Sequence, residues 1–127
     1  MPVISPRTEQ ILFARTDANM DTTVDQALVA ESIFSQFIIT RIRVVDASAS
    51  LTTAAGGFYT EASKSGVIVV AASQAYSALT GATHGIDLTI EPAGRDRIVA
   101  STLFLSLTTG NGSAATATIY VIGIPIA

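Results

Sequence analysis

The sequence predicts an all-β domain, an antiparallel β-sandwich of jelly-roll type with an extended N-terminal arm. Short apolar runs recur along the chain, separated by clusters of Gly, Pro, Asn and Ser at intervals of about 8 to 12 residues. No segment sustains a 3.6-residue apolar period over the length of a helix. The 127 residues suffice for one core. Residues 1–9 are therefore read as the arm and 10–127 as a single sandwich.

Met1 to Thr8 carries Pro2 and Pro6, which exclude a helix interior and a central strand. Such an arm adds little to the domain's own hydrogen-bond ladder. Its Val3, Ile4 and Arg7 are the candidate partner-binding residues. Gln10 to Arg15 reads as a short strand and Asp17 to Asp25 as a polar loop. In Gln26 to Ser35, Ala30, Ile33, Phe34 and Phe37 fall at helical spacing. The run is short and merges into a strong β segment, so a short strand plus a turn is preferred. Phe37 to Asp46 alternates, with Ile38, Thr40, Ile42 and Val44 on one face and Phe37, Ile39, Arg41, Arg43 and Val45 on the other. The arginines require that second face to meet water or a polar partner.

Gly56 and Gly57 inside the next β run point to a bulge or a close backbone approach. Ser63-Lys64-Ser65-Gly66 is a turn cluster joining two β runs into a hairpin, and Val67 to Ala71 is a buried strand. Ala75 to Thr80 resumes the β pattern. Ile86, Leu88 and Ile90 alternate with Asp87 and Thr89 as a half-exposed strand, and Glu91 to Asp96, with Pro92 and Gly94, is a turn. Leu103, Leu105 and Leu107 share a core face. Asn111-Gly112 lies between two alternating runs and predicts a hairpin returning through Ala114 to Ile122.

Composition restricts the functional classes. Only 13% of residues are charged, against roughly 25% in ordinary domains, while 49% are apolar and mean hydropathy is +0.51. That leaves more apolar surface than one small sandwich can cover, so a symmetric homo-oligomer, expected to be a trimer, follows. No run approaches the about 20 apolar residues of a spanning helix, which argues against a membrane. The N-terminal residues lack the apolar core of a secretory signal, so synthesis in a cytoplasm is expected. A net charge of −3 and a pI near 4.8 argue against nucleic acid. The absence of Cys removes disulfides, thiolate metal sites and thiol nucleophiles.

Catalytic constellations are equally lacking. His84, the single histidine, sits between glycines in Gly81-Ala82-Thr83-His84-Gly85 and reads as a solvated loop residue. Asp17, Asn19, Asp21 and Asp25 match positions 1, 3, 5 and 9 of a calcium loop. Thr22 stands where Gly is needed and Leu28 where a bidentate Glu should close the shell. Lys64, the single lysine, and the Arg95-Asp96-Arg97 cluster read as solvated turns. No enzyme, cofactor or metal is expected.

Two groups of segments carry a family resemblance: Ser50-Leu51-Thr52-Thr53-Ala54-Ala55-Gly56-Gly57-Phe58-Tyr59-Thr60, and Leu103 to Thr109 with Gly112 to Val121. Through them residues 10–123 resemble small virion proteins of tailed bacteriophages, of the head-decoration or cement type. The resemblance implies a capsid-surface location, the major capsid protein as partner, and a terminal arm gripping the capsid, matched here by position to Met1 to Thr8. The competing reading is a receptor- or glycan-binding module of a fibre or tail. A chain without Trp, with three Tyr and five Phe mostly inside β runs, supports that less well.

Overall fold

Ten strands and one helical turn make up the regular structure of the computed structural model, which describes residues 9–31, 33–80 and 83–126. The strands are β1 (Gln10–Asn19), β2 (Gln26–Ala27), β3 (Val29–Ala30), β4 (Gln36–Val45), β5 (Ala55–Glu61), β6 (Ser65–Val70), β7 (Gly85–Asp87), β8 (Ile98–Val99), β9 (Phe104–Thr109) and β10 (Thr116–Ile126); α1 is Pro92–Arg95. They form two antiparallel sheets. The larger has the order β3-β1-β10-β4-β7, with β8 also paired to β4; the smaller has the order β2-β9-β5-β6. The domain is thus an all-β sandwich.

Burial follows from the pleat. On β9, Leu105 and Leu107 point inward and, with Leu103, meet Phe13, Phe37, Ile42, Val44, Ile119 and Val121 of the opposite sheet in one core cluster. Phe13, Phe34 and Phe37 pack edge to face with centroids 5.3–5.5 Å apart, closing one end. Tyr76 is fully buried and donates its hydroxyl to the Gly56 carbonyl at 3.1 Å, and burial holds its pKa far above the ordinary tyrosine value. Ser63 and Lys64 both adopt left-handed backbone, with φ of 62° and 58°, and lie in the three-residue loop between Glu61 and Ser65 that closes the expected β5–β6 hairpin. Gly56 and Gly57 mark the expected irregularity, since β5 slips register between Ala55 and Gly56 and a side chain at either glycine would collide with backbone of β9 or of residues 70–71.

The larger sheet departs from simple alternation at one level. On β10, Ile122 pairs with Arg41 and Gly123 with Ile39, leaving Thr40 unpaired as a bulge whose hydroxyl donates to the Ile122 carbonyl at 3.2 Å. The bulge re-phases β4. Phe37 and Ile39 face the core before it, Ile42 and Val44 after it, so the two-face alternation read from Phe37 to Asp46 is overturned in its first half. A second register shift lies on the other side of β10, between Ile11 and Phe13 of β1, and lets Leu12 and Phe13 both turn inward. Gly123 lies between the two irregularities. A Cβ there would overlap the Ile38 carbonyl oxygen and press on Leu12.

Other expectations also give way. Residues 109–113 do not close a hairpin, because β9 belongs to the smaller sheet and β10 to the larger; the segment carries the chain across the sandwich. Asn111 is buried there, donating its side-chain amide to the Ser50 carbonyl at 3.1 Å, and only Gly112 takes a positive φ, 84°. A buried amide that ties two loops outweighs the turn preference of Asn-Gly. Ala75 to Thr80 forms a single bridge, Ala55 to Ala75, because Tyr76 and Leu79 turn into the core. Regular pairing of the Ile86–Ile90 run stops at Asp87, and the turn at 91–96 contains α1. β1 runs through Asn19, beyond the expected end at Arg15, with a bulge before Ala18 and Asp17 at φ 55°. β10 runs through Gly123 and Pro125; beyond Gly123 it pairs only with β4 among the described residues, an edge where a missing N–H is tolerated.

Gly123→Ala is expected to lower unfolding free energy by about 3 kcal/mol, at the upper end of overpacking costs, because the obstructing atom is backbone. Urea denaturation monitored by circular dichroism measures this. A loss below about 0.5 kcal/mol would show that β10 and β4 can separate at little cost.

Candidate functional site

The arrangement closest to catalytic geometry joins three segments distant in sequence. The Ser106 hydroxyl donates to Asp25 Oδ1 at 2.6 Å and accepts from Lys64 Nζ at 2.9 Å, while Asp25 Oδ2 accepts the Ser63 backbone N–H at 2.7 Å. The hydrogen bond from Ser106, helped by that of Ser63 and by the Lys64 charge, outweighs desolvation and holds the Asp25 carboxyl below its ordinary range. These polarities do not suit a nucleophile. The lysine donates to the serine instead of accepting its proton, and Ser106 is fully buried, so no substrate reaches its oxygen. What the array does is fasten the loop before β2 and the β5–β6 turn to the outside of β9. Sequence reading missed it because its members lie about 40 residues apart and each belongs to an unremarked turn or strand.

The acidic loop spends its oxygens on backbone. Asn19 Oδ1 accepts from the Asp21 N–H at 2.9 Å, and Asp21 Oδ1 accepts from the Gly112 N–H at 2.7 Å. Among the described residues, no three His, Asp or Glu side chains group closely enough to hold a metal ion. His84 is exposed. The buried Arg15 Nε has no hydrogen-bond partner among the described residues, although Nη1 donates to the Ala27 carbonyl at 2.7 Å. It borders a wide-open cleft shared with Glu31, whose like-placed negative charge offsets its attraction for an anion. No described helix is long and apolar enough to cross a membrane.

The outer face of the larger sheet is built differently from the outside of an ordinary sandwich. Antiparallel sheets with one solvated face alternate apolar and polar residues. Here the cross-strand pairs Ile11–Ile122 and Ile124–Ile38, and the row Ile126–Gln36–Val99, put aliphatic side chains on the face turned away from the core. Ile11 is 41% exposed and Val99 72%. The bulge at Thr40 creates this half-face, since without it Ile38 would share a side with Ile42 and Val44. Above it the face turns polar: Arg41 Nε and Arg43 Nη1 donate to the same Asp87 oxygen at 3.0 and 2.9 Å. Asp87 is the polar partner that Arg41 and Arg43 were expected to need. Their hydrogen bonds, that from Arg41 foremost, hold Asp87 below the ordinary carboxyl range against the opposing effect of burial.

Val3, Ile4 and Arg7, the candidate partner-binding residues of the arm, lie outside the described residues. Comparison with known proteins finds no matching family model, no similar curated protein and no similar solved structure.

Asp25 and Asp87 both have folded-state pKa values below the ordinary 3.8, so each contributes stability that is fully present above that value and is lost as pH falls through its folded value. The urea midpoint is therefore expected to drop between pH 6 and pH 3. Asp25→Ala should cost roughly 1–2 kcal/mol at pH 6, the range for hydrogen bonds to a charge reduced for partial solvation, and should flatten the pH dependence. An unchanged slope in the variant would remove Asp25 from the linkage.

Proposed function

We propose that this chain is a structural virion protein, a decoration or cement subunit that binds the outer face of a phage capsid as a homo-oligomer and stabilises it. The observation that carries the assembly reading is the aliphatic outer half-face of the larger sheet, because a contiguous apolar surface on a small domain marks a place where other protein sits. The polar groups support the same reading. Those nearest to a chemical constellation are hydrogen-bonded into loops and turns, with Ser106 buried beneath them.

Strand order supports the jelly-roll form of the sandwich. Apart from the short β3 and β8, the chain visits the larger sheet at β1, the smaller at β2, then β4 in the larger, β5 and β6 in the smaller, β7 in the larger, β9 in the smaller and β10 in the larger. First and last strands lie side by side and, apart from the β5–β6 hairpin, neighbours within each sheet are non-consecutive strands, as in interlocked Greek keys. Viral capsid domains and lectins both use that architecture, and the virion assignment within it rests on the sequence resemblance described above. A glycan site would need an exposed aromatic platform, whereas Phe13, Phe37, Phe58, Tyr59 and Tyr76 are buried and Phe34, Phe104 and Tyr120 are only partly exposed.

Fractionating a lysate of the producing cells on a density gradient tests the proposal. The chain should band with DNA-filled heads in fixed ratio to the major capsid protein, and heads stripped of it should rupture at lower temperature. Recovery of the chain solely at the top of the gradient, or in tail fractions without heads, would refute it.

A further inference from the structure

Resting on the reading that this chain works within an assembly, we infer that the outer face of its larger sheet is a self-association surface on which a second copy packs, sheet against sheet, about a two-fold axis running along β10. Ile122 and Ile124 of β10 form the central stripe, Ile38 and Arg41 of β4 lie to one side, and Ile11 of β1, with Glu9 just before that strand, to the other.

Two properties favour a second copy over an unlike partner. The first is charge. The groups bordering the face on these strands and β7 are Arg41 and Arg43 against Asp87 and Glu9, so two copies meet without net repulsion. An axis along β10 keeps the level along the strands, so it lays the β4 side of one copy over the β1 side of the other and sets Arg41, level with Ile122, over Ile11, two residues from Glu9. The second is size. Eleven residues of β10 at about 3.3 Å each, by four strands at about 4.8 Å, give a face of roughly 700 Å². A standard interface buries about 800 Å² per partner, so one face pairing with its copy is of the right order. Its make-up also fits, with an aliphatic core and a polar border where the exposed Arg41–Asp87–Arg43 ion pairs remain hydrated. Two sheets of the same twist stack with strands aligned to within about 30°, as an axis along the strands requires.

Light scattering and sedimentation of the full chain, with charge-swap variants, test the pairing. The wild type should have twice the mass of the 13.1 kDa chain. Ile122→Lys and the more exposed Ile11→Lys should each yield monomers with an unchanged circular dichroism spectrum, whereas Val24→Lys, on a loop elsewhere, should remain paired. Glu9→Arg and Arg41→Glu should each weaken association about tenfold, and the double exchange should restore it. A monomeric wild type at about 100 μM overturns the inference. So does a trimer indifferent to both isoleucine variants, or pairing that appears only when residues 1–8 are deleted, which would assign the face to the chain's own N-terminal residues. A monomer that still bands with heads overturns the pairing alone; a dimer that never enters particles overturns the virion reading alone.

Discussion

The close passage of β10 at Gly123 between β1 and β4 is the constraint on which the rest of the sandwich depends. With no side chain there, the Ile38 carbonyl can approach the β10 backbone, β4 can bulge at Thr40, and β1 can slip one residue near Leu12. Both irregularities serve the core. They deliver Leu12 with Phe13, and Phe37 with Ile39, to the inside at the level where the three phenylalanine rings meet. The same change of phase turns Ile38, Arg41 and Arg43 outward. Interior packing and exterior surface are therefore set by one local event.

Much of the architecture was legible because its signals are local. The β5–β6 turn, the paired glycines of β5 and the inward leucines of β9 each depend on residues within a few positions of one another, where turn chemistry and the two-residue period operate. The errors came where distant parts of the chain decide. Asn111-Gly112 has the composition of a hairpin, but its flanking strands find partners in different sheets, and burial of the Asn111 amide against Ser50 is invisible to a window of ten residues. The bulge in β4 likewise answers to Gly123, more than 80 residues away. A reader of β4 alone sees regular alternation, because Thr40 and Arg41 fit either phase.

The site was less legible than the fold for a related reason. Acidic and basic residues drew attention as candidate ligands, yet Asp21, Asp25 and Lys64 act as fasteners, each holding a loop or turn to groups remote in sequence. The surface with the clearest capacity to bind is aliphatic over half its extent, with its charged groups gathered at the border. Low charge and high hydropathy anticipated such a surface in general terms, but its position required knowing which way Ile38, Ile122 and Ile124 point.

The crossing at residues 109–116 also bears on how the protein comes to be folded. It places β10, the last strand in the sequence, at the centre of the larger sheet, between β1 and β4. During synthesis the smaller sheet's strands β5, β6 and β9 are complete before β10 emerges, whereas β1 and β4 wait with their pairing edges open. Closure of the larger sheet is consequently a late, non-local event of the kind that slows β-rich folding and prolongs exposure of unpaired strands. Until then the nascent chain offers two apolar edges to any neighbour on the same message, which makes the interval before β10 arrives the period of greatest risk of misassembly.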